Sequence, residues 1–488
     1  MSVSFNAVPS DSFVPFTYVE FDSSRAMARS AGSQPYRALL IGPKLESGTK
    51  PVNTLIRLQS PADAEEAFGS GSILHHMALA FFRNNRGQEV FGLAVPMPHD
   101  AAPARIEIAL TGSPQVRGAL TFYLGGRRYQ VTVKTAESLG EILAAVVKVI
   151  GADPLRYVDA TTNDADRIIL TARHPGEIGN GIDLRLNYFP GESLPRGFDL
   201  QSSPPVLGTG TPDLTSLLKA IGDEWLNVIA WPYLDETSLL LIEAELEDRW
   251  GPHRPIDGHL FTAASQAPND LITNFNSRNS KHVTITAASS SPSPSWEWAA
   301  AIAGINATEA EKDPARPYQT LPLSGIMPAR NPLAFLARDS LLKNGIATTV
   351  TDASGVVRIE RLITTYKRNA AGAPDRAYLD ITTKQTLSFL RFDFRTHFMT
   401  KFPRHKLADD GTRFGTGQAV MTPKTAKAEA IAKFNEWEER GLVESADQFK
   451  RELIVERNRQ NPNRLDFLMP PDLINQLMIT AAQVAFIV

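Results

Sequence analysis

The pair His75-His76 is the first place in the chain where residue type and spacing could do chemistry. Two imidazoles share one metal when they lie four residues apart on a helix. Adjacent positions diverge by about 100°, so this pair is expected on the solvent face of its helix. Asp257-Gly258-His259 sets a carboxylate two residues from an imidazole at a strand entrance, but no flanking pattern supplies a nucleophile, and a turn is the plainer reading. The run from Asp159 to Asp166 is rich in oxygen donors yet lacks the central glycine and terminal glutamate of a calcium loop, which leaves a polar hairpin tip. Gly69-Ser70-Gly71 lacks the order of a nucleophile elbow and reads as a break between helices. Gly208-Thr209-Gly210 precedes a helix whose N–H groups could meet an anion, but it lies in a proline-rich seam and reads as linker. No phosphate-cradling P-loop is present. Zero cysteines exclude thiolate catalysis, disulfides, Cys-ligated zinc and iron–sulfur clusters. No catalytic, cofactor or metal residue is assigned.

The densest charge cluster runs from Lys401 to Arg413 and contains Arg404, His405, Lys406, Asp409 and Asp410. It reads equally as a self-compensating surface turn, whose exposed pairs contribute about 0–1 kcal/mol each, or as a docking loop that sets register between subunits. The two ends of the chain are apolar in a different way. Residues 1–22 carry Val14, Phe16, Tyr18, Val19 and Phe21 with no helical period, and residues 477–488 are apolar on both alternating faces, with Ile479 on one and Val484, Phe486 and Val488 on the other. A free terminal strand of that kind aggregates. It is either buried in its own subunit or covered by a neighbour.

These residues are carried by a chain of 488 with 43% hydrophobic and 21% charged residues, long enough for about three domains with proper cores. A net charge of −3 is too balanced to gather nucleic acid or anionic lipid by charge alone. The first basic residue is Arg25 and no apolar core of signal-peptide length precedes it, so secretion by that route is not expected. No apolar run reaches the length of a membrane span, so membrane insertion is not expected either.

Two proline-rich seams, 96–104 and 201–212, bracket a strand-like stretch with Gly125-Gly126 at a hairpin turn. Outside them the pattern alternates strand and helix. Ser60-Pro61-Ala62-Asp63 signals a capped helix start, and repeated strand–helix units predict a mainly parallel sheet covered on both faces. The expected fold class is α/β plus α+β, multidomain. Residues 25–96 and 212–370 form a split, doubly wound α/β domain, and 97–211 an inserted mostly-β domain. Residues 371–470 form a C-terminal α+β lobe, with extended arms at 1–24 and 471–488. A helix is expected to open at Thr422-Pro423 and run to about residue 440.

Four blocks carry a resemblance: FNAVPSDSFVPFTYVEFD from residue 5, AFGSGSILHHMALAFFRNN from residue 67, FPRHKLADDGTRFGTGQAV from residue 402 and NPNRLDFLMPPDLINQLM from residue 461. In these blocks and their order the chain resembles the contractile tail sheath proteins of Mu-like bacteriophages. The resemblance implies a structural subunit, not an enzyme. Such subunits stack as six-fold rings in a helix around a tail tube protein, meet baseplate and tail terminator proteins, and contract to drive the tube through the host envelope. It implies a virion tail location after assembly in the host cytoplasm, strand exchange by the arms, no cofactor and no nucleic-acid partner. It also implies a subtilisin-like fold for the split domain, without the protease residues. Tube attachment in such sheaths is associated with a helix of the C-terminal lobe. Lys424, Lys427 and Lys433 are therefore the candidate tube-facing cations, beside Glu429, Glu436, Glu438 and Glu439 on the same helix. The competing readings are an α/β hydrolase-like enzyme with a β-rich accessory domain, centred on His259, and a tail component whose insertion binds carbohydrate.

Overall fold

A computed structural model describes residue 34 and residues 36–85, 87–164 and 166–487. The chain divides into two compact units, Tyr36–Thr386 together with the residues from Asn475 onward, and Leu387–Ile474.

The larger unit begins with β1 (Arg37–Pro43), β2 (Leu55–Leu58), α1 (Pro61–Phe68), α2 (Ile73–Asn84) and β3 (Glu89–Val95). Local chemistry explains each boundary. Ser60 and Asp63 close a reciprocal capping box on α1 with Pro61 in the first turn, and the Ser72 hydroxyl caps α2 by accepting from the His75 N–H. The β-rich segment comes next as β4 (Pro103–Gly112), β5 (Gly118–Leu124), β6 (Arg127–Val133), α3 (Leu139–Gly151), β7 (Val158–Asp164), β8 (Arg167–Pro175), β9 (Leu184–Leu186) and β10 (Phe198–Ser202). The β5–β6 turn has φ of 55° at Gly125 and 81° at Gly126, the left-handed pair that a tight hairpin demands. These strands make one sheet in the order β10-β4-β8-β7 and another in the order β6-β5-β9.

The chain then returns to α/β units with α4 (Thr215–Ile221), β11 (Val228–Ala230), α5 (Glu236–Trp250), β12 (His259–Ala264), α6 (Pro268–Phe275), β13 (Val283–Ala287) and α7 (Ser295–Lys312). Its last helix and hairpin are α8 (Phe335–Lys343), β14 (Thr348–Thr351) and β15 (Val357–Arg361). The main sheet runs β13-β12-β11-β1-β3-β2, parallel except for β2. Because β1 pairs with β3 on one side and β11 on the other, residues far apart in sequence share one sheet. Leu39, Ile41, Ile229 and Leu260 face α4, α5 and α6, while Ala38, Leu40, Val228 and Phe261 face α2 and α7. Both faces are buried, which is why β1 reads as an unbroken apolar run.

Helix α7 is buried nearly all round, and its alanines let it approach α2 closely. At Gly304 a Cβ would lie 2.7 Å from the Phe81 carbonyl oxygen of α2, so the two helices meet backbone to side of backbone. Helix α9 (Ile381–Lys401) leads into the smaller unit, which holds β16 (Lys406–Leu407), β17 (Val420–Met421), α10 (Pro423–Glu439), β18 (Val443–Glu444), α11 (Ala446–Glu452), β19 (Ile454–Arg457), β20 (Leu465–Leu468) and β21 (Asp472–Leu473). Thr422 caps α10 through the Thr425 N–H, as the Thr-Pro signal predicts. Among the described residues no helix is long and apolar enough to cross a membrane.

Two expectations are corrected. His75 and His76 are buried, not solvent-facing, because α2 lies between the sheet, α7 and the β-rich segment and has little free face. The expected strand over 477–488 does not form in residues 474–487, since a strand needs an adjacent edge to bond to and none is paired with it here. Substituting Gly304→Val is expected to cost about 2 kcal/mol or more by forcing α7 off α2. Urea denaturation of the variant against the parent chain measures this, and an unchanged midpoint would show that the two helices can separate freely.

Candidate functional site

In the smaller unit, Asp393, His397 and Lys401 fall at i, i+4 and i+8 on α9, and Glu429, Lys433 and Trp437 at the same spacing on α10. The two stripes face each other. Lys433 Nζ lies 2.8 Å from Asp393 and 2.6 Å from Glu436, and the Trp437 indole N–H donates to Asp393 at 2.6 Å. Glu429 accepts from Lys401 at 2.7 Å and meets His397 at 3.2 Å. Burial pushes the Glu429 carboxyl up, but the hydrogen bonds from Lys401 and His397 outweigh it and hold the group below its ordinary value. For Lys433 burial acts downward, yet the bonds to Asp393 and Glu436 prevail and raise it.

The three candidate tube-facing lysines therefore differ. Lys433 is only 9% exposed and is committed to its ion pairs. Lys427 Nζ donates to the Leu453 carbonyl at the C-terminal end of α11, at 2.7 Å. Lys424 is exposed. Asp393, His397 and Trp437 do not stand out in the sequence, although the fourfold spacing of polar residues along an aromatic helix is a usable signal.

The acids of the 404–413 loop are exposed but bonded to neighbouring elements. Asp410 accepts from the Lys424 N–H in the first turn of α10 at 2.9 Å, and Asp409 pairs with Arg457 of β19 at 3.2 Å. Lys406 donates to Gln418 at 2.7 Å beside the short β16–β17 pairing, and the His405 ring lies against the Pro403 carbonyl at 3.3 Å. Arg404, in the left-handed region at φ 62°, and Arg413 remain exposed and make no ion pair among the described residues. Asp409 and Asp410 are thus exposed and bonded to groups outside the loop, while Arg404 and Arg413 stay exposed without an ion pair among the described residues.

At the C-terminal end the chain is tethered and then released. Gln476 donates to the Ala315 carbonyl at 3.3 Å and Gln319 to the Leu477 carbonyl at 3.0 Å. Beyond that point Ile479, Val484 and Phe486 are each at least 80% exposed. Val14, Phe16, Tyr18, Val19, Phe21 and Val488 lie outside the described residues.

The residues that suggested catalysis are otherwise engaged. His259 starts β12, at the N-terminal end of a parallel strand, where ligand sites of such sheets do not lie. It is buried, bonded to Thr284 at 2.8 Å, and burial with the nearby Lys384 charge holds it well below the usual imidazole range. The Gly69–Gly71 break seats the β-rich segment. Arg173 donates to the Ser70 carbonyl at 3.0 Å, and the Ile73 N–H donates to His174 Nε2 at 3.1 Å. Burial lowers His174 to about 3, which keeps that ring a neutral acceptor.

Residues 208–365 match the family model Phage tail sheath protein central domain, and residues 373–487 match Phage tail sheath C-terminal domain. The Mu-like prophage FluMu tail sheath protein of Haemophilus influenzae is 36% identical over 488 residues, covering 100% of both chains. The chain belongs to the phage tail sheath family. As a phage tail sheath protein it is a structural subunit of a phage tail, not an enzyme. Solved sheath structures resemble it more distantly. The sheath tail protein of Desulfitobacterium hafniense is 10% identical with a TM-score of 0.49, covering 94% of this chain and 100% of that one. The sheath tail protein of Listeria innocua is 12% identical with a TM-score of 0.46, covering 92% and 97%.

In this sheath protein the α9–α10 polar seam is expected to be structural. Asp393→Ala leaves the Lys433 cation buried without its main partner and should cost about 2–3 kcal/mol. Asp393→Ala with Lys433→Met should recover part of that loss. A double-mutant cycle by chemical denaturation checks both, and independent, additive effects would contradict the seam.

Proposed function

We propose that the subunit polymerises with its own copies as helically stacked six-fold rings around a tail tube protein, ends on baseplate and terminator proteins, and contracts. Assembly takes place in the host cytoplasm. In this reading the subtilisin-like split domain of residues 25–96 and 212–370 and the lobe 371–470 form the contracting wall, and the mostly-β domain 97–211 faces outward. The arms 1–24 and 471–488 link neighbouring subunits, so that contacts between lobes can rearrange while the links persist.

The observation that carries this reading is the run beyond Leu477, apolar on both faces yet exposed from Ile479 to Ile487, in a chain whose full-length relative is a tail sheath protein. Covering each large apolar side chain gains about 1.5–3 kcal/mol, and each strand hydrogen bond about 1 kcal/mol net, so one linked arm is a substantial tie. The cationic face of the loop, with Arg404, His405, Lys406 and Arg413, is proposed to set subunit register against an acidic surface of a neighbouring copy. Lys424 is the remaining candidate for tube contact, because Lys427 and Lys433 hold the smaller unit together.

Removing residues 477–488 should leave a soluble subunit that forms no tubes in negative-stain electron microscopy. Normal striated cylinders from the truncated chain would defeat the arm assignment. Arg404→Glu with Arg413→Glu should slow polymerisation and make the parent's salt dependence shallower, read by light scattering across a salt series. An unchanged rate and salt slope would return the loop to an ordinary surface turn.

A further inference from the structure

The joint that holds the β-rich segment on α2 and α7 is polar at its centre. Tyr157, just ahead of β7, is 5% exposed and stacks on the His76 ring of α2 with centroids 4.2 Å apart. Its O–H donates to Glu297 Oε1 in the first turn of α7, and that same oxygen lies 3.4 Å from His76 Nδ1. His76 is 2% exposed, and its Nε2 is buried with no partner among the described residues. A cavity of about 310 Å³ opens beside these groups, lined also by Arg83, Arg127 and the Gly125-Gly126 turn.

We propose that Glu297 is a proton-operated joint: proton uptake by this carboxyl tightens the hold of the β-rich segment on α2 and α7, and proton release loosens it.

The surroundings are poor at supporting a carboxylate. The loop before β7 supplies one hydroxyl donor, Tyr157. The β5–β6 hairpin supplies Arg127, but it donates twice to Asp153, at 2.9 Å each, which also accepts from the Tyr129 O–H at 2.7 Å. Helix α2 supplies His76, held neutral by burial and by the nearby positive charge of Arg127, and Arg83, which reaches the cavity without pairing with the carboxylate among the described residues. The segment carrying Ser324, Gly325 and Met327 adds no titratable group. Burial pushes the Glu297 carboxyl up to about 7, against the Tyr157 hydrogen bond and the more distant Arg83 and Arg127 charges. The folded value lies above the unfolded one, near 4.3, so the folded joint binds the extra proton between them. Stability from this group is present at acid pH and is lost as pH rises toward 7. The cavity gives the proton a path that does not require the segment to detach.

Backbone hydrogen exchange on the full-length subunit at pH 6 and pH 8, corrected for intrinsic rates, tests the joint in α2, residues 157–175 and α7. The parent chain should open about tenfold more at pH 8 than at pH 6 in these segments. Glu297→Gln keeps an acceptor for Tyr157 but cannot ionise, and should abolish the pH dependence. Tyr157→Phe removes the hydroxyl donor to the ionised form and should move the change to higher pH without abolishing it. A parent with pH-independent protection, a Glu297→Gln chain that keeps the parent's tenfold change, or a Tyr157→Phe chain with the parent's pH profile would each overturn the proposal.

Discussion

The run from Leu477 to Ile487 holds apolar side chains in water along a stretch that has no strand partner, and a folded chain keeps such a surface only when another surface completes it. Everything proposed about assembly rests on that constraint. The tethers from Gln476 and Gln319 fix where the run departs from its own unit. Beyond them the chain stands in an open form, with backbone donors and acceptors and alternating apolar faces, the properties that strand addition uses.

In the larger unit the parallel sheet is buried on both faces and α7 lies against α2 at backbone distance. In the smaller unit the α9 and α10 stripes lock through Asp393–Lys433 and Glu429–Lys401, and the 404–413 loop is pinned by Asp409 and Asp410. Asp409 and Asp410 find partners on β19 and α10, whereas Arg404 and Arg413, close by in sequence, make no ion pair among the described residues. The Glu297 joint is the opposite kind of contact, one whose strength depends on a single proton.

Much of the fold is legible in the sequence because local signals and global pattern agree. Ser60-Pro61 and Thr422-Pro423 mark helix starts, Gly125-Gly126 marks a hairpin, and the buried run of β1 marks a central parallel strand. The candidate site is legible only in part. His75-His76 reads as solvent-facing because the β-rich segment that buries it comes from residues about a hundred positions away, which no local period reports. Lys433 reads as an available cation for a similar reason, since its partner Asp393 lies on another helix. Here the fourfold spacing on both helices is a signal in plain sight, obscured by charged neighbours on the same faces. The terminal strand is overcounted for the converse reason. Alternation shows that a strand is wanted, but a strand exists only once its partner edge is present.

The most direct measurement is hydrogen exchange at the amides of residues 478–487 in dispersed subunits and again in the assembled polymer. Completion by a neighbour predicts rapid exchange in the dispersed form and strong protection after assembly, confined to that segment and the edge it joins. Protection already present in the dispersed subunit, or rapid exchange that persists within intact tubes, would contradict it.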